Sequence, residues 1–121
     1  MAGDASPELQ ADDAKLEPTE NPPLRCIQCG AVITHPDHAI QQSGAHRHTF
    51  SNPHGYVFAV RCFASADGCM LVGEATRAHT WFPGLAWKLG GCRTCGIHLG
   101  WGFLTDDGQV VVYGLIADRL T

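Results

Sequence analysis

Four of the six cysteines in this chain come as two matched pairs, Cys26-Ile27-Gln28-Cys29-Gly30 and Cys92-Arg93-Thr94-Cys95-Gly96. A two-residue gap lets both sulfurs of a pair turn toward one ion, and two such pairs supply the four thiolates of a tetrahedral structural Zn2+ site. The glycine after each pair permits the left-handed backbone that closes such a knuckle and brings amide N–H groups near the sulfurs. Arg25 and Arg93 are placed to moderate the negative charge of a Zn(Cys)4 centre. With all four ligands Cys, no coordination position stays open, so the ion is expected to staple the fold rather than to catalyse. The 62 residues between the pairs make it a tie between distant hairpins, unlike the short closed loop of a zinc finger. Disulfides or a redox pair are the alternatives, and two matching knuckles would then be a coincidence.

The second constellation is His79-Thr80-Trp81-Phe82-Pro83-Gly84-Leu85-Ala86-Trp87-Lys88, with Trp101 further on between Gly100 and Gly102. Pro83-Gly84 predicts a type II turn. Glycine beside a large ring removes neighbouring side chains and leaves the ring facing open space or another backbone. Trp81, Trp87, Trp101 and Phe103 are therefore candidate walls of a small box, with plain core packing as the alternative. A cage for cations normally adds a carboxylate. No acidic residue lies between Arg77 and Lys88, which favours a neutral, flat guest with polar edges. Such a guest needs hydrogen bonds as well as walls, and a strand edge at His79 to Trp81 running into the turn is expected to offer them from its backbone.

The elements that must position these groups are short apolar runs broken by Gly, Pro, Asp and Asn, which predicts an all-β domain of antiparallel strands. Tyr56 to Phe63 is the clearest strand, with Val57, Ala59, Arg61 and Phe63 alternating against Phe58, Val60 and Cys62. Gln109 to Ile116 is a second, introduced by Asp106-Asp107-Gly108. Met70 to Val72 is expected to pair with the end of the Tyr56 strand. In His98 to Phe103 the alternation puts Leu99, Trp101 and Phe103 on one face and His98, Gly100 and Gly102 on the other. Cys62 reads as a buried small side chain, with Cys69 as a possible partner across a hairpin. His35, His38, His46 and His48 read as surface or turn residues.

Charge divides the chain in two. Its 121 residues carry a net charge of −4, but residues 1–23 hold six acids against Lys15 alone, and residues 24–121 hold six acids against seven bases. Residues 1–23, with four prolines and no aromatic residue, are expected to be a disordered acidic tail with at most a marginal helix over Ala11 to Leu16. The folded domain is expected over 24–121. No basic patch suits a nucleic-acid polymer, and no apolar run approaches the ~18 residues of a membrane span. The N-terminus lacks the pattern of a secretory signal. A soluble, cytoplasmic protein is expected.

The segments HTWFPGLAW, CRTCGIHLGW, SNPHGYV at Ser51 to Val57, and YGLIADRL near the end together resemble the CULT domain, the thalidomide-binding domain of cereblon, which also occurs as small stand-alone proteins. The likeness runs from about Leu24 to the C-terminus, with both knuckles, all three Trp and NPHGY in order. It implies a β-tent fold, two antiparallel sheets meeting at an angle and pinned by zinc. It also implies a tri-tryptophan cage for cyclic imides such as glutarimide and thalidomide analogues, with uracil or uridine-like rings accommodated. By position, Trp81, Trp87 and Trp101 become the cage and Phe103 its fourth wall. His79 and Trp81 bond the imide, largely through backbone, while Asn52, Pro53, His54 and Tyr56 form or support the rim. Peptides ending in a cyclic imide are a subclass of the same ligand. Ala78 and Lys88 depart from the relatives' residues on the cage segment. No Lon-like or ligase-adaptor-binding segment is present in the sequence, so ubiquitination is not carried over. Two other readings are a cage for methylated ammonium groups and a B-type methionine sulfoxide reductase. The reductase would need an Arg-x-Cys-x-Asn context, and Val60-Arg61-Cys62-Phe63 does not provide one.

Overall fold

The computed structural model describes residues 21–121. The expected acidic tail and its helical fragment, up to residue 20, lie outside the described residues. The strands run in order β1 (Leu24–Arg25), β2 (Val32–Thr34), β3 (Arg47–Ser51), β4 (Val57–Phe63), β5 (Cys69–Thr76), β6 (Ala86–Cys92), β7 (His98–Leu104) and β8 (Val110–Ile116). Single 3-10 turns at Pro36–His38 and Ala117–Arg119 are the helical elements among the described residues. The domain is all-β, with two antiparallel sheets: β1-β2, and a six-stranded sheet of order β3-β4-β8-β7-β6-β5. Among the described residues no helix is long and apolar enough to cross a membrane.

Because side chains alternate along a strand, the large sheet has two faces with separate cores. On one, Val60, Cys62, Trp101, Phe103, Val112 and Ile116 pack with Phe82. On the other, Phe63, Leu99 and Leu115 pack against Cys26 and Ile33 of the small-sheet region. The chain end closes the small sheet: Cys26 bridges Leu120, and Arg25 and Thr121 exchange backbone hydrogen bonds of 2.8 Å in both directions. Cys62 and Cys69 fall in opposite cores and both are free thiols, so the hairpin pair considered for them does not exist.

Three sequence expectations need correction. The Met70 strand pairs with β6 and forms the sheet edge, rather than extending β4. Its ladder is interrupted between Val72 and Thr76, which is why it runs longer than the apolar segment suggested. The histidines are not all surface groups: His48 lies in β3 and its Nε2 bonds the Gln42 carbonyl at 2.8 Å, while half-buried His46 bonds the Ile40 carbonyl at 3.0 Å through Nδ1.

The third correction concerns β7. Its pairing with β6 runs Gly90 to Gly100 and then Gly91 to His98, so Leu99 is an extra residue. This bulge puts Leu99 in the core shared with the small sheet, while Trp101 and Phe103 enter the other core. His98 is turned to the Trp101 side, with ring centroids 4.8 Å apart.

Gly100 makes the bulge possible. Its φ is +158°, and a Cβ there would lie 2.1 Å from the Gly114 carbonyl oxygen and 2.9 Å from Leu115 Cα. Both are backbone atoms of a central strand with no room to retreat. Gly100→Ala is therefore expected to cost about 3 kcal/mol or more. Gly108→Ala, in an open turn with φ +87° and nothing within 4 Å, should cost only about 1 kcal/mol. Thermal melts of the two variants check this, and equal losses would contradict the assignment of the bulge.

Candidate functional site

Two loops and three strands enclose a cavity of about 410 Å³ on the Trp101 face of the large sheet. Trp87, Leu89, Trp101 and Phe103 rise from β6 and β7, and their register sets Trp87 opposite Phe103 and Leu89 opposite Trp101. The loop between β5 and β6 adds His79 and Trp81, and the loop between β3 and β4 adds Asn52, Pro53 and His54. Phe58 and His98 complete the lining. Trp101 meets Trp81 edge-on, with centroids 4.6 Å apart and planes at 77°. Phe50 stacks behind Trp81 at 4.6 Å.

The indoles are held by their N–H groups as well as by packing. Trp81 Nε1 donates to the Ser51 carbonyl at 3.2 Å, and Trp87 Nε1 donates to the Ala78 carbonyl at 2.8 Å. Each bond ties one cavity loop to another segment. Asn52 Oδ1 accepts from the backbone N–H groups of His54 and Tyr56, both at 3.0 Å, which freezes the NPHGY loop as a turn. Pro83-Gly84 forms the expected turn, with Gly84 at φ +93° and Leu85 N–H bonded to the Phe82 carbonyl at 3.0 Å.

His79 to Trp81 is not a strand edge, contrary to expectation. It belongs to a loop in which Thr80 N–H bonds the Arg77 carbonyl at 3.2 Å and His79 takes φ +57°. That left-handed conformation is uncommon for a residue with a side chain, although histidine tolerates it better than most. Among the described residues the N–H groups of His79 and Trp81 and the carbonyl of His79 have no protein partner. The polar edge foreseen from the sequence is thus supplied by a twisted loop. Arg77 pairs with Asp106, joining the base of this loop to the β7–β8 turn; both side chains are exposed, so the pair contributes little.

At the other end of the β6–β7 hairpin, the Sγ atoms of Cys26, Cys29, Cys92 and Cys95 lie within 4.8 Å of one another. Cys26 and Cys95 are 3.7 Å apart and Cys29 and Cys92 are 3.6 Å apart. Four thiolates around a tetrahedral zinc at ~2.3 Å sit about 3.8 Å from each other, so the set has the spacing of a four-thiolate centre. Gly30 and Gly96 adopt φ +79° and +84°, and their N–H groups bond the Cys26 and Cys92 carbonyls at 2.9 and 2.8 Å. Arg25 bonds the Gly30 carbonyl and Arg93 the Asp67 carbonyl, each at 3.0 Å, bracing the two knuckles.

Over 54 residues, 45% of the chain, the sequence is 44% identical to protein cereblon of Danio rerio, 44% to that of Xenopus tropicalis and 43% to that of Gallus gallus. Over this segment the chain is similar to cereblon. The matched segment spans 12% of the length of each of these curated relatives. No protein-family model matches the chain.

Eight of the nine side chains singled out for ligand contact line one cavity: Trp81, Trp87, Trp101, Phe103, His79, Asn52, Pro53 and His54. Tyr56 does not. Its side chain is 67% exposed and it serves the rim only through its backbone. Phe58, Leu89 and His98 also line the cavity and had not been singled out. Phe58 was legible from its alternation with Val60 and Cys62, but Leu89 depends on the β6 register and His98 on the bulge.

The electrostatics of the two sites differ. Among the described residues no carboxylate lines the cavity. His98 Nε2–H donates to the Gly100 carbonyl at 3.0 Å. Burial holds its pKa below the ordinary 6.5 and nearby Arg119 acts in the same direction, against the pull of the Gly100 carbonyl. The cysteine set, by contrast, cannot ionise together without a cation. At Cys29 the Ala31 amide favours the thiolate, yet desolvation and the facing thiols of Cys92, Cys95 and Cys26 leave its pKa at about 12. At Cys92 burial opposes ionisation, but the amides of Cys95 and Thr94 prevail and bring it to about 7. A metal ion bound by all four removes this conflict.

Native mass spectrometry should therefore find one metal ion per chain, lost in Cys92→Ser. Stripping it with a strong chelator should abolish the cooperative melt, and a metal-free chain with an unchanged melt would exclude the staple. His98 gives a separate pH signature. Its folded pKa is depressed, so its contribution is complete above pH 6.5 and is lost as pH falls through the lower folded value. The melting temperature should fall on acidification from pH 6.5 down to the folded value, and less steeply in His98→Gln.

Proposed function

We propose that this domain is a non-enzymatic binding module that captures cyclic imides in the aromatic cavity, with Zn2+ as a structural ion on the four cysteines. The single observation that carries this reading is an indole-walled cavity that, among the described residues, has no carboxylate and lies beside backbone N–H and carbonyl groups without a partner. An imide presents alternating acceptor, donor and acceptor atoms along one edge of a compact apolar ring. The loop at His79 to Trp81 reads that edge, while Trp81, Trp87, Trp101 and Phe103 pack the ring carbons. Glutarimide, thalidomide analogues, uracil-like rings and peptides ending in a cyclic imide all share it. The likeness to cereblon supports the same reading.

The competing readings fare less well. A methylated ammonium ion would lose its hydration without a carboxylate to balance it. A sulfoxide reductase needs an accessible thiolate, whereas Cys62 is fully buried and burial pushes its thiol up to about 11.

Tryptophan fluorescence titrated with glutarimide, uracil and tetramethylammonium tests the proposal. Roughly eight heavy atoms at ~0.8 kcal/mol each place the expected Kd for glutarimide around ten micromolar. The first two ligands should quench saturably, and Trp101→Ala should lose the response while retaining its metal. Saturable quenching by the ammonium ion alone would overturn the imide reading in favour of a cation cage.

A further inference from the structure

Arg47 and Arg61 stand directly opposite each other in the β3–β4 ladder. Cross-strand partners share a face, and like charges so placed repel. The face they share is the one bearing Phe63, away from the cavity, because Arg61 alternates with Val60 and Cys62 of the cavity-side core. Arg61 is half-buried and fixed at two points. Its Nε–H donates to His46 Nε2 at 3.1 Å, and its guanidinium lies 5.1 Å from the centre of the Phe63 ring. The His46 ring is itself held by its bond to the Ile40 carbonyl and by an edge-on contact with Phe63 at 5.3 Å.

These contacts hold Arg61 and leave its outer fork unengaged among the described residues. Arg47 beside it is exposed. Among the described residues the one salt bridge joins Arg77 and Asp106, so no described carboxylate answers either arginine. Burial, with Arg47 second, lowers the Arg61 pKa, the direction expected of a cation lacking its counter-charge. A sheet that places two guanidinium groups in register, immobilises one and supplies no carboxylate has the makings of a fork-shaped anion receptor.

We propose that Arg47 and Arg61, with His46 positioning Arg61, form a site for a carboxylate or phosphate oxyanion on the sheet face opposite the cavity. Two sources share that chemistry. One is a free anion such as phosphate. The other is the chain's own N-terminal segment, whose sequence holds Asp4, Glu8, Asp12, Asp13, Glu17 and Glu20 and a single base, Lys15. That segment leads into β1, whose Leu24 packs on the same core as Phe63.

The test is a titration of the full chain with inorganic phosphate at constant ionic strength, followed by NMR of the arginine Nε–H and backbone amide signals. Saturable shifts confined to Arg47, Arg61, His46 and their ladder neighbours are expected. Loss of one charge-assisted hydrogen bond should weaken binding about tenfold in Arg47→Gln. This exposed position keeps the test readable if Arg61→Gln fails to fold. A full chain carrying D12N, D13N, E17Q and E20Q separates the sources: tighter phosphate binding identifies the chain's own carboxylates as the resident anion, and unchanged binding identifies a free anion. No shifts in either form, or shifts spread over every basic residue without saturation, would overturn the site.

Discussion

The β6–β7 ladder is the constraint on which the rest of the molecule depends. One end of this hairpin carries Cys92 and Cys95, and the other carries Trp87 and Phe103 as a directly facing pair. A shift of register by one residue would send every side chain on one strand to the opposite face. The cysteine cluster gathers at one end, and the Leu99–Gly100 bulge interrupts the ladder near it. With a metal ion bound as proposed, the cysteines would act on the cavity without touching it, by holding in register the strands that bear three of its walls.

The large sheet keeps its two tasks on separate faces. The side toward the small sheet is stapled, with Cys26, Cys69 and Cys92 buried beside Phe63 and Leu115. The other side is left partly open, and its aromatic rings are oriented by backbone carbonyls rather than packed shut. Glycine permits this economy in the central strands. A Cβ on Gly102 would collide with Leu71 at 2.3 Å, and one on Gly114 would come within 3.1 Å of the Phe103 ring. Large side chains from neighbouring strands lie across the sheet where glycine leaves the backbone bare. The cavity loops are then braced against this frame, which limits the ordering cost of admitting a guest.

How much of this was legible in the sequence follows from the range of each signal. The cysteine pairs are a local pattern with a fixed geometric meaning, and the four sulfurs do converge. The alternation in β4 has period two and survives in the fold. The His98 to Phe103 alternation reads equally well on paper and is broken in space, because a bulge is a relation between two strands and leaves in one strand only the trace of Gly100. The β5–β6 pairing was missed for the same reason: strand partners are set by sheet order, which a short apolar run such as Met70 to Val72 does not encode. His79 to Trp81 read as a strand edge from its flanking residues, but the left-handed His79 turns it into a loop. In each case local chemistry was legible and the relation between strands was not.

The same separation bears on what kind of chemistry the domain supports. Among the described residues, Cys26, Cys29, Cys92 and Cys95 form a cluster that could hold a metal ion, and a tetrahedral ion bound by all four would leave no position for a substrate. Its remaining thiols, Cys62 and Cys69, are buried, and burial holds both pKa values near 11. Among the described residues the cavity offers aromatic rings, His98 and unengaged backbone groups. Such a lining discriminates by penalty as much as by attraction. On the proposed reading, a charged guest would lose hydration with no counter-charge from the described residues in return, and a purely apolar guest would leave the His79 and Trp81 amides unsatisfied. A neutral ring carrying both donor and acceptor on one edge would avoid both costs, and selectivity would then lie in the guest's hydrogen-bond pattern and flatness rather than in its charge.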